Sequence, residues 1–494
     1  MQNETRRDFL KKSAMMAGLT ILPSYVVSGL GYRAPSDKLN IVGVGIGGKG
    51  NPNLKGMLPE NIIGLCDVDW KFADYCFKEF PTAKKYKDWR VMFDEMGKDF
   101  DAVMVATADH THAIIAATAL TMGKHVYCQK PLTHSIYESR LLTRLAAKHK
   151  VATQMGNQAN SGHGVRQVCE WIWNGEIGEV REVHAWTDRP LWPQGLQRPK
   201  NVMKVPSHLD WDLFIGPAPM RPYHEAYTPW SWRGWWDFGT GAFGDMACHV
   251  LDPIYQALKL GYPNKIQGSS PAINTESPPQ SEMVEFVFPA RDNLPKVAMP
   301  EVKVYWYDGG LLPNRPDLLP DGTNLMRDQL GGCFFVGSKD TLHCDCGGFN
   351  PRLLSGRKPD VPQTLRRIPG ATGYSDGYHE QDWIRACKES PSNRVEPTSN
   401  FAYSGPFNEM VLLGVLAIRL QNLNKALQWD GENMAFTNIS PTEDLRIVTS
   451  NDFTIIGGHP HFDVKYQKFN AAETAKEYIK HTYREGWKLP DMPA

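Results

Sequence analysis

Asp245 and His249 stand four residues apart in Gly241-Ala242-Phe243-Gly244-Asp245-Met246-Ala247-Cys248-His249-Val250-Leu251-Asp252. On a helix that spacing puts a carboxylate and an imidazole on one face, where both can serve one bound molecule. An imidazole with its ordinary pKa near neutrality can take the proton of a hydroxyl, and the carboxylate can orient the ring or the substrate. A second constellation, Gly43-Val44-Gly45-Ile46-Gly47-Gly48, has the GxGxxG spacing of a dinucleotide-binding turn. Gly43 permits the tight turn, Gly45 and Ile46 bring the backbone up to a pyrophosphate, and Gly48 allows close helix packing. Asp67, at the end of the next apolar run, suits adenosine ribose hydroxyls and repels a 2′-phosphate, which favours NAD over NADP. Placed between a strand and a helix and followed by Asp67, the glycine turn reads as a binding turn rather than a turn that binds nothing, whereas His249 taken singly reads better as a packed core histidine.

Such groups need a scaffold that brings them together. From Lys38 to Val151 short apolar runs alternate with helical stretches: strands at Leu39–Gly43, Ile62–Asp67, Ala102–Ala106 and His125–Cys128, and helices at Gly48–Met57 and Ala113–Met122. The pattern predicts an α/β fold whose first domain, residues 37–155, is a doubly wound, parallel Rossmann sheet. Ligands of such sheets sit outside the carboxyl ends of the strands, so Thr107-Ala108-Asp109-His110-Thr111-His112 and Gln129-Lys130-Pro131 should converge on one crevice. After Gly156 the texture changes to longer alternating strands, many prolines and Trp-rich loops. Strands at Val180–Trp186, Met283–Phe288, Val302–Tyr307, Cys333–Gly337 and Thr341–Cys344, with helices at Gly244–Leu260 and Asn408–Gln421, predict an α+β domain over residues 156–494 built on a large, mostly antiparallel sheet. The segment Asn470–Pro490 reads as a final helix and an extended arm.

Lysine plus arginine equals aspartate plus glutamate at 54 each, with no long basic run, which argues against a nucleic-acid partner. Most of the nine cysteines sit in apolar segments, where a buried thiol is expected; Cys344-Asp345-Cys346 is a poor metal or disulfide pair, and we expect no metal. Fifteen tryptophans, dense between Trp171 and Trp236, fit either a carbohydrate-binding surface or a large aromatic core. Thr5-Arg6-Arg7-Asp8-Phe9-Leu10-Lys11, the apolar stretch Ala14–Leu30 and the small, polar Gly31–Ser36 have the order of a twin-arginine leader, residues 1–36. We read it as a cleaved export signal delivering a folded protein to the periplasm, an uncleaved anchor being the alternative; nothing after residue 36 reads as a membrane span.

With these motifs in place the chain resembles the Gfo/Idh/MocA family of sugar and inositol oxidoreductases. The family's TPxxxH-like turn corresponds to Thr107–His112, its EKP motif to Gln129-Lys130-Pro131, and its DxxxH helix to Asp245 and His249. The resemblance implies that Lys130 bonds both the reacting oxygen and the nicotinamide ribose, that His249 is the base, and that Asp245 orients substrate or base. It places Thr107, His112, Gln129 and Asn157 beside the cofactor, with Asn157 facing the nicotinamide. Glutamine at 129 departs from the usual glutamate and alanine at 108 from the usual proline, which predicts altered tuning of Lys130. Arg189 and Trp192 follow a strand, while Arg233 and Trp235 precede the DxxxH helix, so both loops could frame a sugar pocket. An exported enzyme has no NAD pool to draw on and must keep and recycle its cofactor. The expectation is oxidation of a sugar or glycoside hydroxyl, at C3, to a keto-sugar. The alternatives are a glycosidase working by transient oxidation, elimination, hydration and reduction, and a non-catalytic periplasmic sugar-binding protein. The resemblance also implies a homodimer or homotetramer.

Overall fold

The computed structural model describes residues 37–292, 294–325, 330–372 and 377–493; the leader read at residues 1–36 lies outside them. The first domain alternates strand and helix. Its strands are β1 Asn40–Val44, β2 Asn61–Cys66, β3 Lys84–Tyr86, β4 Ala102–Val105, β5 His125–Cys128 and β6 Thr153–Met155. Between them run α1 Gly50–Gly56, α2 Asp74–Glu79, α3 Trp89–Met96, α4 Asp109–Thr121 and α5 Ile136–His149. The six strands are parallel in the order β3-β2-β1-β4-β5-β6. The central strands β1 and β4 are buried throughout except for the partly open Asn40 at the start of β1, because helices cover both faces of the sheet. The strand order reverses between β1 and β4, from β1-β2-β3 outward on one side to β4-β5-β6 on the other, which opens a crevice at their carboxyl ends.

Two helix starts in the first domain differ from the sequence reading by two residues or more. Helix α1 starts at Gly50, two residues after the glycine turn, and α4 starts at Asp109 rather than Ala113. Ala108 is extended, as a residue before a helix should be, and Asp109 supplies negative charge to the first turn. The Thr107–His112 segment is therefore a helix start at the crevice.

In the second domain α6 His163–Trp173 precedes a nine-stranded sheet of β7 Val180–Trp186, β8 Lys265–Ser269, β9 Met283–Phe288, β10 Val302–Tyr307, β11 Gly332–Gly337, β12 Thr341–Asp345, β13 Phe349–Leu353, β14 Leu427–Asp430 and β15 Ala435–Phe436. The pair β7–β10 is parallel and the others are antiparallel. Alternate residues Val302, Val304 and Trp306 are buried against the helix side, where Phe243 meets Trp306 at 4.9 Å between ring centroids.

Four more helices lie here: α7 Trp211–Ile215, α8 Gly241–Val250, α9 Asp252–Ala257 and α10 Tyr378–Cys387. The helix read at Gly244–Leu260 is thus two, with Pro253 in the first turn of α9. Helix α11, Phe401–Arg419, is apolar, almost wholly buried, and packs on α5, α8 and β8, joining the two domains. Trp383 and Ile384 of α10 pack with Ile41, Leu54 and Met104. Beyond them β16 Asp444–Ile456 and β17 His459–Asn470 form a two-stranded ribbon, followed by α12 Ala471–Ile479.

Candidate active site

The carboxyl ends of β1, β2, β4 and β5 open into a cavity of about 600 Å³, closed from the other side by α8 and by the 187–240 segment. Gly45 has φ +74°, and a Cβ there would stand 2.6 Å from the Ala106 carbonyl carbon and the Thr107 nitrogen. Only glycine lets the turn pass so close to β4. Close packing of the helix falls to Gly50 rather than Gly48, since a Cβ on Gly50 would sit 2.1 Å from the Gly45 carbonyl oxygen; at Gly48 the nearest foreign atom is 3.7 Å away. Gly43 and Ile46 pack on each other and do not line the cavity; their role is to shape the turn.

Asp67 accepts from the Gly47 amide at 3.0 Å and the Asp69 amide at 2.9 Å. Burial, only partly offset by these amides, raises its pKa to about 6. A glycine cradle that excludes a Cβ, backed by a carboxylate at the end of β2, fits a dinucleotide with free ribose hydroxyls.

At the opposite end, Lys130 Nζ lies 2.5 Å from Asp245 Oδ1 and donates to the Asp245 carbonyl at 3.1 Å. Arg233 Nε is 3.2 Å from the same carboxylate oxygen. Burial alone would raise the Asp245 pKa, but Lys130 and Arg233 outweigh it and hold the carboxyl well below its usual range. His249 lines the cavity one turn along α8. Its pKa is pushed down to about 3, first by burial and then by the Lys130 charge, so the base expected near neutral pKa is an uncharged imidazole throughout the neutral range.

Thr107 lines the cavity and accepts from the Thr111 hydroxyl at 2.7 Å. The His112 ring instead spans the Thr107 and Pro131 carbonyls at 3.0 and 2.9 Å, tying the α4 start to the Lys130 turn from behind the wall. Gln129 accepts from the Lys130 backbone amide at 3.3 Å and donates to Asn53 at 2.7 Å; Asn53 in turn donates to the buried Glu380 of α10 at 2.6 Å. Asn157, read as facing the nicotinamide, is fully buried and does not itself line the cavity. After β6 its amide bonds back to Met155, its side chain reaches 3.5 Å from the Cys248 carbonyl, and Gln158 takes the cavity wall.

Arg189, Trp192 and Arg233 line the cavity, whereas Trp235 does not. Its indole donates to the Ala226 carbonyl at 2.8 Å and its ring stacks edge-on to Tyr227 in a cluster with Trp211, Phe214 and Phe238. The tryptophans thus divide: Trp186, Trp211, Trp235 and Trp236 are core, while Trp192, Trp230 and Trp232 face the cavity. Cys344 of the CxC pairs in register with Cys333 on β11, their sulfurs 3.2 Å apart, and both are free thiols.

Sequence reasoning passed over Asp109. It is fully buried, accepts both contacts of Arg233 Nη1 at 3.0 Å and takes the Thr240 amide and hydroxyl at 3.2 and 2.9 Å. Lys130, Asp245, Arg233 and Asp109 therefore form one chain of alternating charge, with the Arg233 guanidinium stacked 4.3 Å over Trp232. The available signal was an acid just ahead of the apolar stretch Ala113–Ala117.

Residues 38–157 match the Gfo/Idh/MocA model described as the oxidoreductase family's NAD-binding Rossmann fold, and residues 180–283 the model described as its C-terminal alpha/beta domain. The levoglucosan dehydrogenase of Pseudarthrobacter phenanthrenivorans is 26% identical over 189 residues, 38% of this chain and 40% of that protein. The inositol 2-dehydrogenase of Salmonella typhimurium is 27% identical over 148 residues, 29% of this chain and 44% of that protein. The matches thus span less than half of either relative. Among solved structures, the WlbA dehydrogenase of Chromobacterium violaceum, in complex with NADH and UDP-GlcNAcA, has the same fold at 15% identity and a TM-score of 0.54, over 84% of this chain and 99% of that one. Over these two stretches, and in the same order, the chain is thus similar to both domains of the Gfo/Idh/MocA oxidoreductases.

Proposed function

We propose that this protein is an NAD-dependent oxidoreductase that converts a hydroxyl of a sugar or glycoside, at C3, to a ketone and returns the hydride to a second carbonyl compound without releasing its cofactor. The observation that carries the reading is the gathering of Lys130, Asp245 and His249 at one end of a cavity whose other end holds the glycine turn and Asp67. Bound NAD supplies the hydride acceptor. Asp67 orients the adenosine ribose and disfavours a 2′-phosphate. The Lys130 ammonium, fixed by Asp245, offers its charge to the developing alkoxide. His249 is unprotonated at neutral pH and so free to take the hydroxyl proton, and Asp245 on the same face stabilises the imidazolium that results. Trp192, Trp232 and Arg189 offer ring faces and donors to a sugar. Similarity to named levoglucosan and inositol dehydrogenases supports the substrate class.

The twin arginines Arg6 and Arg7 support export, which places the reaction in the periplasm and requires a retained cofactor; assembly as a homodimer or homotetramer belongs to the same reading. The test is mass spectrometry of purified protein incubated with a panel of glycosides and a keto-sugar acceptor. A product two mass units lighter with the glycosidic bond intact supports the dehydrogenase. Free sugar and aglycone without net oxidation would replace it with the redox-assisted glycosidase, and no turnover of any kind with a non-catalytic binding protein.

A further inference from the structure

We infer that the C-terminal segment, residues 480–493, is a strap that holds the adenosine half of the cofactor in its cavity. After α12 the chain leaves the second domain and crosses to the first. Tyr483 donates to Glu138 of α5 at 2.7 Å. Arg484 is pinned three ways: its amide donates to the Pro217 carbonyl at 2.9 Å, its Nε to the Gly216 carbonyl at 3.0 Å, and its Nη1 to Asp212 at 2.6 Å. Arg144 of α5 donates to the Pro493 carbonyl at 3.1 Å and fixes the far end.

Between these anchors Trp487 turns inward. It is 9% exposed, its ring centroid lies 6.5 Å from that of Trp89, and the Arg90 guanidinium covers it at 4.5 Å. Trp487 and Trp89 both line the cavity. Trp89 begins α3 just after Tyr86, which pairs with Cys66, and the Asp67 amide donates to the Tyr86 carbonyl at 3.1 Å. Trp487 therefore stands at the Asp67 end, where the ribose-binding carboxylate puts the adenosine, and far from Lys130 and His249. A residue at this position has no part in proton or hydride transfer; what it can do is stack on or wall in an aromatic base and slow its exit. Leu213 and Phe214, from the neighbouring segment to which Arg484 is tied, line the same cavity.

The inference takes from the proposed function only that NAD is the occupant. The test reads cofactor release with no sugar present: purified protein loaded with isotopically labelled NAD is chased with unlabelled NAD, and retained label is followed by filter binding. Trp487→Ala is expected to release NAD at least about tenfold faster than the parent, and Arg484→Ala to speed release as well. Phe453→Ser, on the exposed ribbon, is expected to leave release unchanged. Parental release rates in folded Trp487→Ala and Arg484→Ala, judged by circular dichroism, overturn the inference. So does a loss of thermal stability in those variants unaccompanied by faster release. Faster release from a protein that oxidises no sugar would sustain the strap and reject the enzymatic reading, and sugar oxidation with unchanged release would do the reverse.

Discussion

Replacing Asp109 by asparagine isolates the charge chain behind the proposed catalytic end. Asp109 is fully buried, holds Arg233 Nη1 through both oxygens and takes two donors from Thr240, yet its side chain does not line the cavity. In the parent protein two carboxylates, Asp109 and Asp245, face two cations, Lys130 and Arg233. Asparagine keeps the shape and one acceptor but removes a charge, leaving Arg233 and Lys130 to share Asp245. Breaking a buried pair by neutralising one partner costs about 3 kcal/mol or more, which we expect as a lowered midpoint of chemical denaturation. If the displaced Arg233 draws Asp245 from Lys130, the reaction loses one charge-assisted contact, roughly 1.5–3 kcal/mol, or about tenfold to a hundredfold in kcat/KM. NAD content after gel filtration should match the parent, because Asp67 and the glycine turn are untouched. A variant with parental stability and parental kcat/KM would refute the coupling.

Gly45→Ala should purify folded but without nucleotide, since the new Cβ meets the backbone of Ala106 and Thr107 in a left-handed conformation that alanine disfavours; nucleotide released on denaturation measures this. Trp232→Leu is expected to raise KM with little effect on unfolding. Trp235→Leu should lower stability by about 3 kcal/mol, typical of large core truncations, with KM unchanged, and equal behaviour of the two would erase the division between cavity and core tryptophans. Asp67 has its folded pKa raised to about 6 by burial, so its carboxylate is intact above that pH and protonated below it. NAD affinity by calorimetry should hold from pH 8 to about 6 and weaken below, and Asp67→Asn should flatten that dependence.

Nine of the fifteen strands in the two large sheets were legible because their apolar runs or alternation carry the period of burial, and Val180–Trp186, Met283–Phe288 and Val302–Tyr307 have the limits read from sequence; the short β3, β6, β8, β13, β14 and β15 were not read. The ribbon β16–β17 was not, since its distal half contacts solvent on both sides and Phe453, Ile455 and Phe462 are exposed, leaving no buried face to set a pattern. The start of α4 was misplaced because Asp109-His110-Thr111-His112 reads as polar loop; burial of all four depends on Arg233, Phe238 and Pro131, contributed by distant segments. Lys130, Asp245 and His249 were recognisable from motif spacing, but the sign of the His249 shift was not, because it follows from enclosure and from the nearby Lys130 charge. Trp235 and Trp232, three residues apart, went to opposite sides of the wall for a reason that local sequence does not encode.

The central claim is hydride transfer from a substrate carbon to a resident nicotinamide. A glycoside consumed in the panel should be prepared with deuterium at C3, mixed with purified protein in the absence of acceptor, quenched within one turnover, and the released nucleotide weighed. Reduced nucleotide carrying the deuterium is the predicted result. Consumption of the glycoside with the nucleotide still oxidised and unlabelled would contradict the account.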